Sequence, residues 1–214
     1  MWLNFCRKHH TQLCSISAGD PVQGFQLIDC NSDNRIITAT RNMEYIALSY
    51  VWGPNASVDA VKNGTLIRNR LPQTVRDAID VTKRLGYRYL WVDRHCIPTD
   101  SQTKHSQISQ MDIIYKQAQA TLLGASGDGA DFGLPGAESR QRDEQPTAAL
   151  GRHTLFSTLQ HPKVKIWKST WDSRGWAYQE AMLSTRRIFF TEEQVYWECR
   201  SMQCTEAHPP TLAD

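Results

Sequence analysis

The chain has 214 residues, 40% of them hydrophobic and 21% charged, with 24 basic against 22 acidic side chains for a formal net charge of +2. That apolar fraction and small net charge exclude a disordered chain, and the charge balance gives nucleic-acid binding no global electrostatic support. No apolar run approaches the ~18 residues of a membrane span, and the opening stretch, with Arg7, Lys8, His9 and His10 and no apolar core, does not read as a secretory signal.

Residues 1–24 read as an irregular segment. Phe25–Cys30 and Arg35–Ala39 are strand candidates around the turn-like Asn31-Ser32-Asp33-Asn34, a β-hairpin ahead of the main domain. Tyr45–Val51 is a nearly unbroken apolar run that ends at Gly53-Pro54, the pattern of a strand buried on both faces. Leu71-Pro72-Gln73 opens a helix whose stripe is Val75, Ala78, Ile79, Thr82 and Leu85, and Gly86 ends it. Tyr87–Val92 is a second buried strand, Ser101–Ala118 a second helix with Ile108, Met111, Tyr115 and Ala118 on one face, and Ala120–Ala125 a third strand. Gly127–Gly136 and the polar 137–145 read as a connector or mobile insertion. Leu155–Trp167 is strand-like, Trp171–Ser184 helical, and Ile188–Phe190 with Val195–Trp197 a late hairpin. The alternation of strands and helices predicts an α/β fold: a parallel sheet flanked by helices, with added β-hairpins. Ile46, Leu48, Val51, Leu90, Val92, Leu122 and Leu123 are its expected central residues. The reading gives an N-terminal segment 1–24, one domain over 25–205, and a tail or linker start over 206–214.

Ligands of an open parallel sheet bind beyond the carboxyl ends of the strands. Two such ends carry unusual polar residues, Ser49-Tyr50-Val51-Trp52-Gly53 and Asp93-Arg94-His95-Cys96. A third candidate is Asp172–Glu180, where Trp176 and Glu180 stand four apart on one helix face. An aromatic surface beside a carboxylate stacks a ring and stabilises a developing cation. The structural alternatives are a turn-capping Asp93 and an Arg174–Glu180 ion pair over a core tryptophan. His95 and Cys96, adjacent in an extended segment, would point to opposite faces and so form no nucleophile–base pair.

Six cysteines without an export signal read as mostly reduced thiols in a cytoplasmic protein. Cys6, His9, His10 and Cys14 lie close together, and Cys199 and Cys204 are available to complete a tetrahedral set. The spacing lacks the paired Cys-x2-Cys form, so this segment reads as free thiols, and no metal is assigned. The loop Gly124–Gly129 has neither the Lys-Ser/Thr of a P-loop nor the spacing of a dinucleotide fingerprint, so no redox cofactor is expected.

Three blocks, Tyr45–Gly53, Tyr89–Ile97 continued by Gln107-Ile108 and Met111–Tyr115, and Arg174–Ala181, resemble the heterokaryon incompatibility (HET) domain of filamentous fungi over about residues 25–205. Thr99 stands where the family usually has Gln. HET domains are similar to Toll/interleukin-1 receptor (TIR) domains, so the resemblance implies a flavodoxin-like sheet. Some of that wider group cleave NAD with a glutamate in a Trp-Cys-x-x-Glu segment. Trp176–Glu180 keeps that spacing with Ala177 in place of Cys, which implies Glu180 as the catalytic carboxylate. Ser49, Tyr50, Trp52, Gly53, Asp93, Arg94, Arg174 and Trp176 are then the expected substrate-binding residues, gathered at one cleft. The resemblance implies a role in allorecognition and programmed cell death, either by cleaving NAD to nicotinamide and ADP-ribose upon self-assembly or as a non-catalytic module of homotypic or heterotypic assembly. NAD or a related nucleotide would be substrate rather than cofactor. Further copies of the chain and an incompatibility partner are the implied protein partners, with neither nucleic acid nor membrane.

Overall fold

The computed structural model describes residues 2–16, 19, 22–53 and 60–207. Pro54 of the expected Gly-Pro break and residues 208–214 of the expected tail lie outside these described residues. The chain opens with helices α1 (Trp2–His9) and α2 (Thr11–Cys14), then strands β1 (Gln26–Asp29), β2 (Arg35–Thr38), β3 (Tyr45–Ser49), β4 (Val61–Lys62) and β5 (Thr65–Leu66). Helix α3 (Gln73–Arg84), strand β6 (Tyr89–Val92), helices α4 (Asp93–Cys96), α5 (Ser101–Ser109) and α6 (Met111–Gln117), and strand β7 (Ala120–Gly124) follow. The last third holds β8 (Thr147–Leu150), β9 (His153–Phe156), α7 (Pro162–Trp167), α8 (Gly175–Leu183), β10 (Arg186–Phe190), β11 (Val195–Cys199) and β12 (Gln203–Thr205).

Among the described residues, ten strands form one mixed sheet in the order β12-β11-β10-β7-β3-β6-β1-β2-β5-β4. Its centre, β10-β7-β3-β6, is parallel, and antiparallel strands extend both sides. The expected central residues Ile46, Leu48, Leu90, Val92, Leu122 and Leu123 are fully buried in adjacent parallel strands. Val51 lies just past the end of β3 and packs on a second apolar cluster around Trp171, Phe189 and Tyr196.

The connection from β3 through α3 to β6 runs one way across the sheet, and that from β6 through α5 and α6 to β7 runs back. With right-handed crossovers, α3 and the α6–α8 layer therefore cover opposite faces, and α6 packs on α8. Odd-numbered residues of β3 face this second layer: the Tyr45 hydroxyl donates to the Ile114 carbonyl at 2.5 Å. In β6, Trp91 meets Tyr115 edge to face at 5.4 Å.

Several local expectations change. Residues 2–9 and 11–14 are helical rather than irregular; Leu3, Cys6 and Cys14 join the core, and buried cysteines do the apolar work that a search for larger side chains overlooks. The helix expected over 101–118 breaks at Gln110 (φ −116°, ψ 17°). There Ser109 Oγ and Gln110 Nε2 both donate to the Ser106 carbonyl, competing with the helical ladder. Asp93–Cys96 is one helical turn, so the opposite-faces argument for His95 and Cys96 does not apply, although both are buried. Within 155–167 only the start is strand, and Pro162 opens a helix. Residues 171–174 precede α8 as a turn.

The glycine-rich loop is a connector anchored on α3. The buried Asp77 of α3 accepts from the Leu134 amide at 2.7 Å and from Ser139 Oγ at 2.6 Å. The Thr74 amide donates to the Ala130 carbonyl at 2.9 Å, and Leu134 is fully buried.

Candidate active site

β3 reverses the winding direction, because its parallel neighbours β6 and β7 lie on opposite sides of it. A crevice is expected beyond the carboxyl end of such a strand. A cleft of about 820 Å³ opens there, lined by Trp52, Asp93, Arg94, Arg174, Trp176 and Glu180 together with the residues of a second wall. α8 begins at this edge because it must run back to start β10 parallel to β7. The same reversal carries Glu180, one turn into α8, against the end of β3.

Glu180 is buried, 3% exposed. Ser49 Oγ donates to its Oε2, and Trp171 Nε1 donates to Ser49 Oγ at 2.7 Å. Ser184 Oγ, which exchanges a 2.6 Å hydrogen bond with Thr121 Oγ1, donates to the Glu180 carbonyl, also at 2.6 Å. One carboxylate oxygen is thereby held by Ser49, and the backbone carbonyl of the same residue by Ser184.

Trp52 Nε1 donates to Asp93 Oδ1 at 3.3 Å, and the Arg94 amide donates to the same oxygen at 2.7 Å. The Arg94 guanidinium stands 5.0 Å from the Trp52 ring centre, a cation–π distance. Burial first, and then the negative charge of Glu180, push the Asp93 carboxyl up to about 7. Burial raises the Tyr115 hydroxyl well above the ordinary tyrosine range, and Glu180 and Asp93 add to that shift. Burial and the Arg94 charge lower His95 to about 4, so this cleft-lining imidazole stays neutral at physiological pH.

Arg174 Nη1 donates to the Tyr50 carbonyl at 2.5 Å and makes no ion pair with Glu180 among the described residues. Trp176 is 57% exposed, a rim residue rather than a core one. Tyr50 is buried behind the cleft, so its side chain is not at the surface. Gly53 has φ +72°, and a Cβ on it would stand 3.1 Å from the Gly129 Cα; it lets the glycine-rich loop close under Trp52. Ser49 lies behind Glu180 rather than in the cleft wall. Trp52, Asp93, Arg94, Arg174, Trp176 and Glu180 meet in the cleft.

Sequence reasoning missed the second wall. Gln26 and Ile36 of the β1–β2 hairpin, Val61 of β4, and Lys104, Ile108 and Met111 from the α5–α6 region complete the cleft. It also missed Trp171 as the donor that orients Ser49, a residue it had placed inside a helix. The only signal was a tryptophan immediately before the Asp172-Ser173-Arg174-Gly175 turn.

The family model "Heterokaryon incompatibility protein (HET)" matches residues 45–180, which takes in the first two motif blocks and all of the third but Ala181. The chain is similar to vegetative incompatibility protein HET-E-1 of Podospora anserina, 25% identical over 154 residues that cover 70% of this chain and 10% of that protein. It is also similar to heterokaryon incompatibility protein 6, OR allele, of Neurospora crassa, 26% identical over 179 residues, 72% of this chain and 25% of that protein. The chain thus spans a quarter or less of these curated relatives. No solved structure matches it at a significant level.

Proposed function

The chain belongs to the heterokaryon incompatibility family, and on that premise we propose that it is an effector domain of fungal allorecognition and programmed cell death that cleaves NAD to nicotinamide and ADP-ribose. The parallel order β6-β3-β7-β10 is the 2-1-3-4 order of flavodoxin-like sheets, which supports a TIR-like reading of the fold.

One observation carries the enzymatic reading: a buried glutamate, fixed by Ser49, at the inner end of a cleft whose rim holds exposed Trp176 and Trp52. The nicotinamide of NAD is already cationic, so cleavage of its bond to ribose releases it neutral, carrying the bonding electron pair, with no general acid. Positive charge then develops on the ribose carbon and its ring oxygen, and the Glu180 carboxylate opposes it. Water adds to that carbon and releases its proton to solvent. Trp176 offers a face for the nicotinamide ring, and Arg94, Arg174 and Lys104 supply the positive charge that a pyrophosphate requires.

The test is Glu180→Gln. Gln keeps the shape and removes the charge, so nicotinamide release from NAD should fall on the order of 10²–10³-fold while the melting temperature stays close to wild type. A folded variant with undiminished release would remove Glu180 from the chemistry. A wild type that releases none, dilute or crowded, would overturn the enzymatic reading in favour of the assembly module. That second reading has its own support in the exposed Trp176, Tyr178 and Met182 of α8, at 57%, 69% and 58% exposure.

A further inference from the structure

Away from the cleft, at the other end of the molecule's chemistry, four donor atoms converge. Cys6 of α1, His10 between the first two helices, Cys14 at the end of α2 and Cys199 at the end of β11 offer ligand atoms that all lie within 4.8 Å of one another. The three cysteines are buried, and Cys199 Sγ lies 3.5 Å from His10 Nδ1. The spacing explains the convergence. Cys6, His10 and Cys14 recur every fourth residue, and helical hydrogen bonds from the His10 amide to the Cys6 carbonyl (3.0 Å) and from the Cys14 amide to the His10 carbonyl (2.8 Å) put all three on one face. β11 brings the fourth donor across.

We propose that Cys6, His10, Cys14 and Cys199 form a tetrahedral structural zinc site that ties the N-terminal helices to the β10–β11 side of the sheet. Three sulfurs and one imidazole, with no carboxylate, are the donor set of structural zinc. A zinc tetrahedron with metal–sulfur bonds of about 2.3 Å has sulfur–sulfur edges of about 3.8 Å, so the donors need to close by an ångström or less. A disulfide would use only two of the three thiols and leave His10 without a purpose.

A second observation points the same way. Arg186, 4% exposed, sends Nε to Cys6 Sγ at 3.2 Å, Nη1 to the Gln119 carbonyl at 3.0 Å and Nη2 to the Cys14 carbonyl at 2.8 Å. Among the described residues no carboxylate pairs with it. A buried guanidinium beside neutral thiols is an uncompensated charge. Three thiolates and one zinc ion carry a net charge of −1 and compensate it. Metal binding replaces each S–H bond with a sulfur–zinc bond and releases the proton to solvent.

The test uses the whole chain purified without chelators. Elemental analysis should find about one zinc per molecule, and Cys199→Ser and Cys14→Ser should reduce it several-fold, whereas Cys30→Ser and Cys204→Ser should keep it. Should the ligand variants fail to fold, wild-type protein refolded after chelation is titrated with cobalt(II), and the intense visible bands of a tetrahedral thiolate site are the expected result. A wild-type protein that carries no zinc and gives only the pale spectrum of hydrated cobalt would overturn the proposal. So would a disulfide between two of these cysteines, found by mass spectrometry of the freshly purified chain.

Discussion

Asp93 sits where burial and the Glu180 carboxylate both resist its ionisation, and its pKa of about 7 against an ordinary 3.8 makes a pH prediction. Between about pH 4 and pH 7 the folded chain keeps a proton on Asp93 that the unfolded chain has released. This group's contribution to stability therefore falls as pH rises through that window. His95, held near 4 against 6.5, works in the opposite direction below pH 6.5, because the unfolded chain takes up a proton that the fold excludes. The clean measurement is the difference between Asp93→Asn and wild type. The amide keeps an acceptor for Trp52 and the Arg94 amide, so the variant should gain about 2–3 kcal/mol relative to wild type between pH 5 and pH 8. Urea denaturation at both pH values measures this, and a pH-independent difference would contradict it.

The elements best read from sequence are those whose burial is recorded in apolar runs. β3, β6 and β7 are legible because both faces are covered, and α3 because one stripe is. The short pieces are not. β4 and β5 have two residues each, and α1 and α2 pack through cysteines whose shared face shows only as a four-residue repeat. The cleft was half legible for a related reason. Polar residues at strand ends and the Trp176–Glu180 spacing mark one wall, whereas Ile36, Val61 and Ile108 read as ordinary apolar positions until tertiary packing puts them opposite. The glycine-rich loop is instructive, since its composition says nothing of the buried carboxylate that anchors it. Asp77 also accepts from Gln73 Nε2 at 2.7 Å. Asp77→Ala would strand the buried Leu134 amide and should cost about 2–4 kcal/mol. Faster hydrogen exchange at Gly133 and Leu134 should accompany the lower melting temperature. Unchanged exchange there would show that the loop does not depend on Asp77.

On the scale of the whole molecule, the β8–β9 hairpin stands apart from the ten-stranded sheet. Its Leu150, Leu155 and Phe156 are 67%, 53% and 65% exposed. Leu150 and Leu155 share one face of this ribbon and Phe156 stands on the other. If copies of the chain associate, Leu150→Lys with Phe156→Lys should shift the protein toward monomer in sedimentation experiments while leaving its melting temperature within about 1–2 °C, since surface changes usually alter stability by under about 0.5 kcal/mol. Association unaffected by both charges would place the contact elsewhere.

The terminal strands of the large sheet have a consequence for how any such assembly is built. Among the described residues, β4 contributes two residues to one edge and β12 three to the other. A fibril grows when an unpaired strand templates the next chain through a long row of backbone hydrogen bonds. Edges this short provide only a few, so the large sheet is poorly suited to polymerise by strand addition. Any cluster of this protein would then rest on side-chain contacts rather than on a growing row of strands.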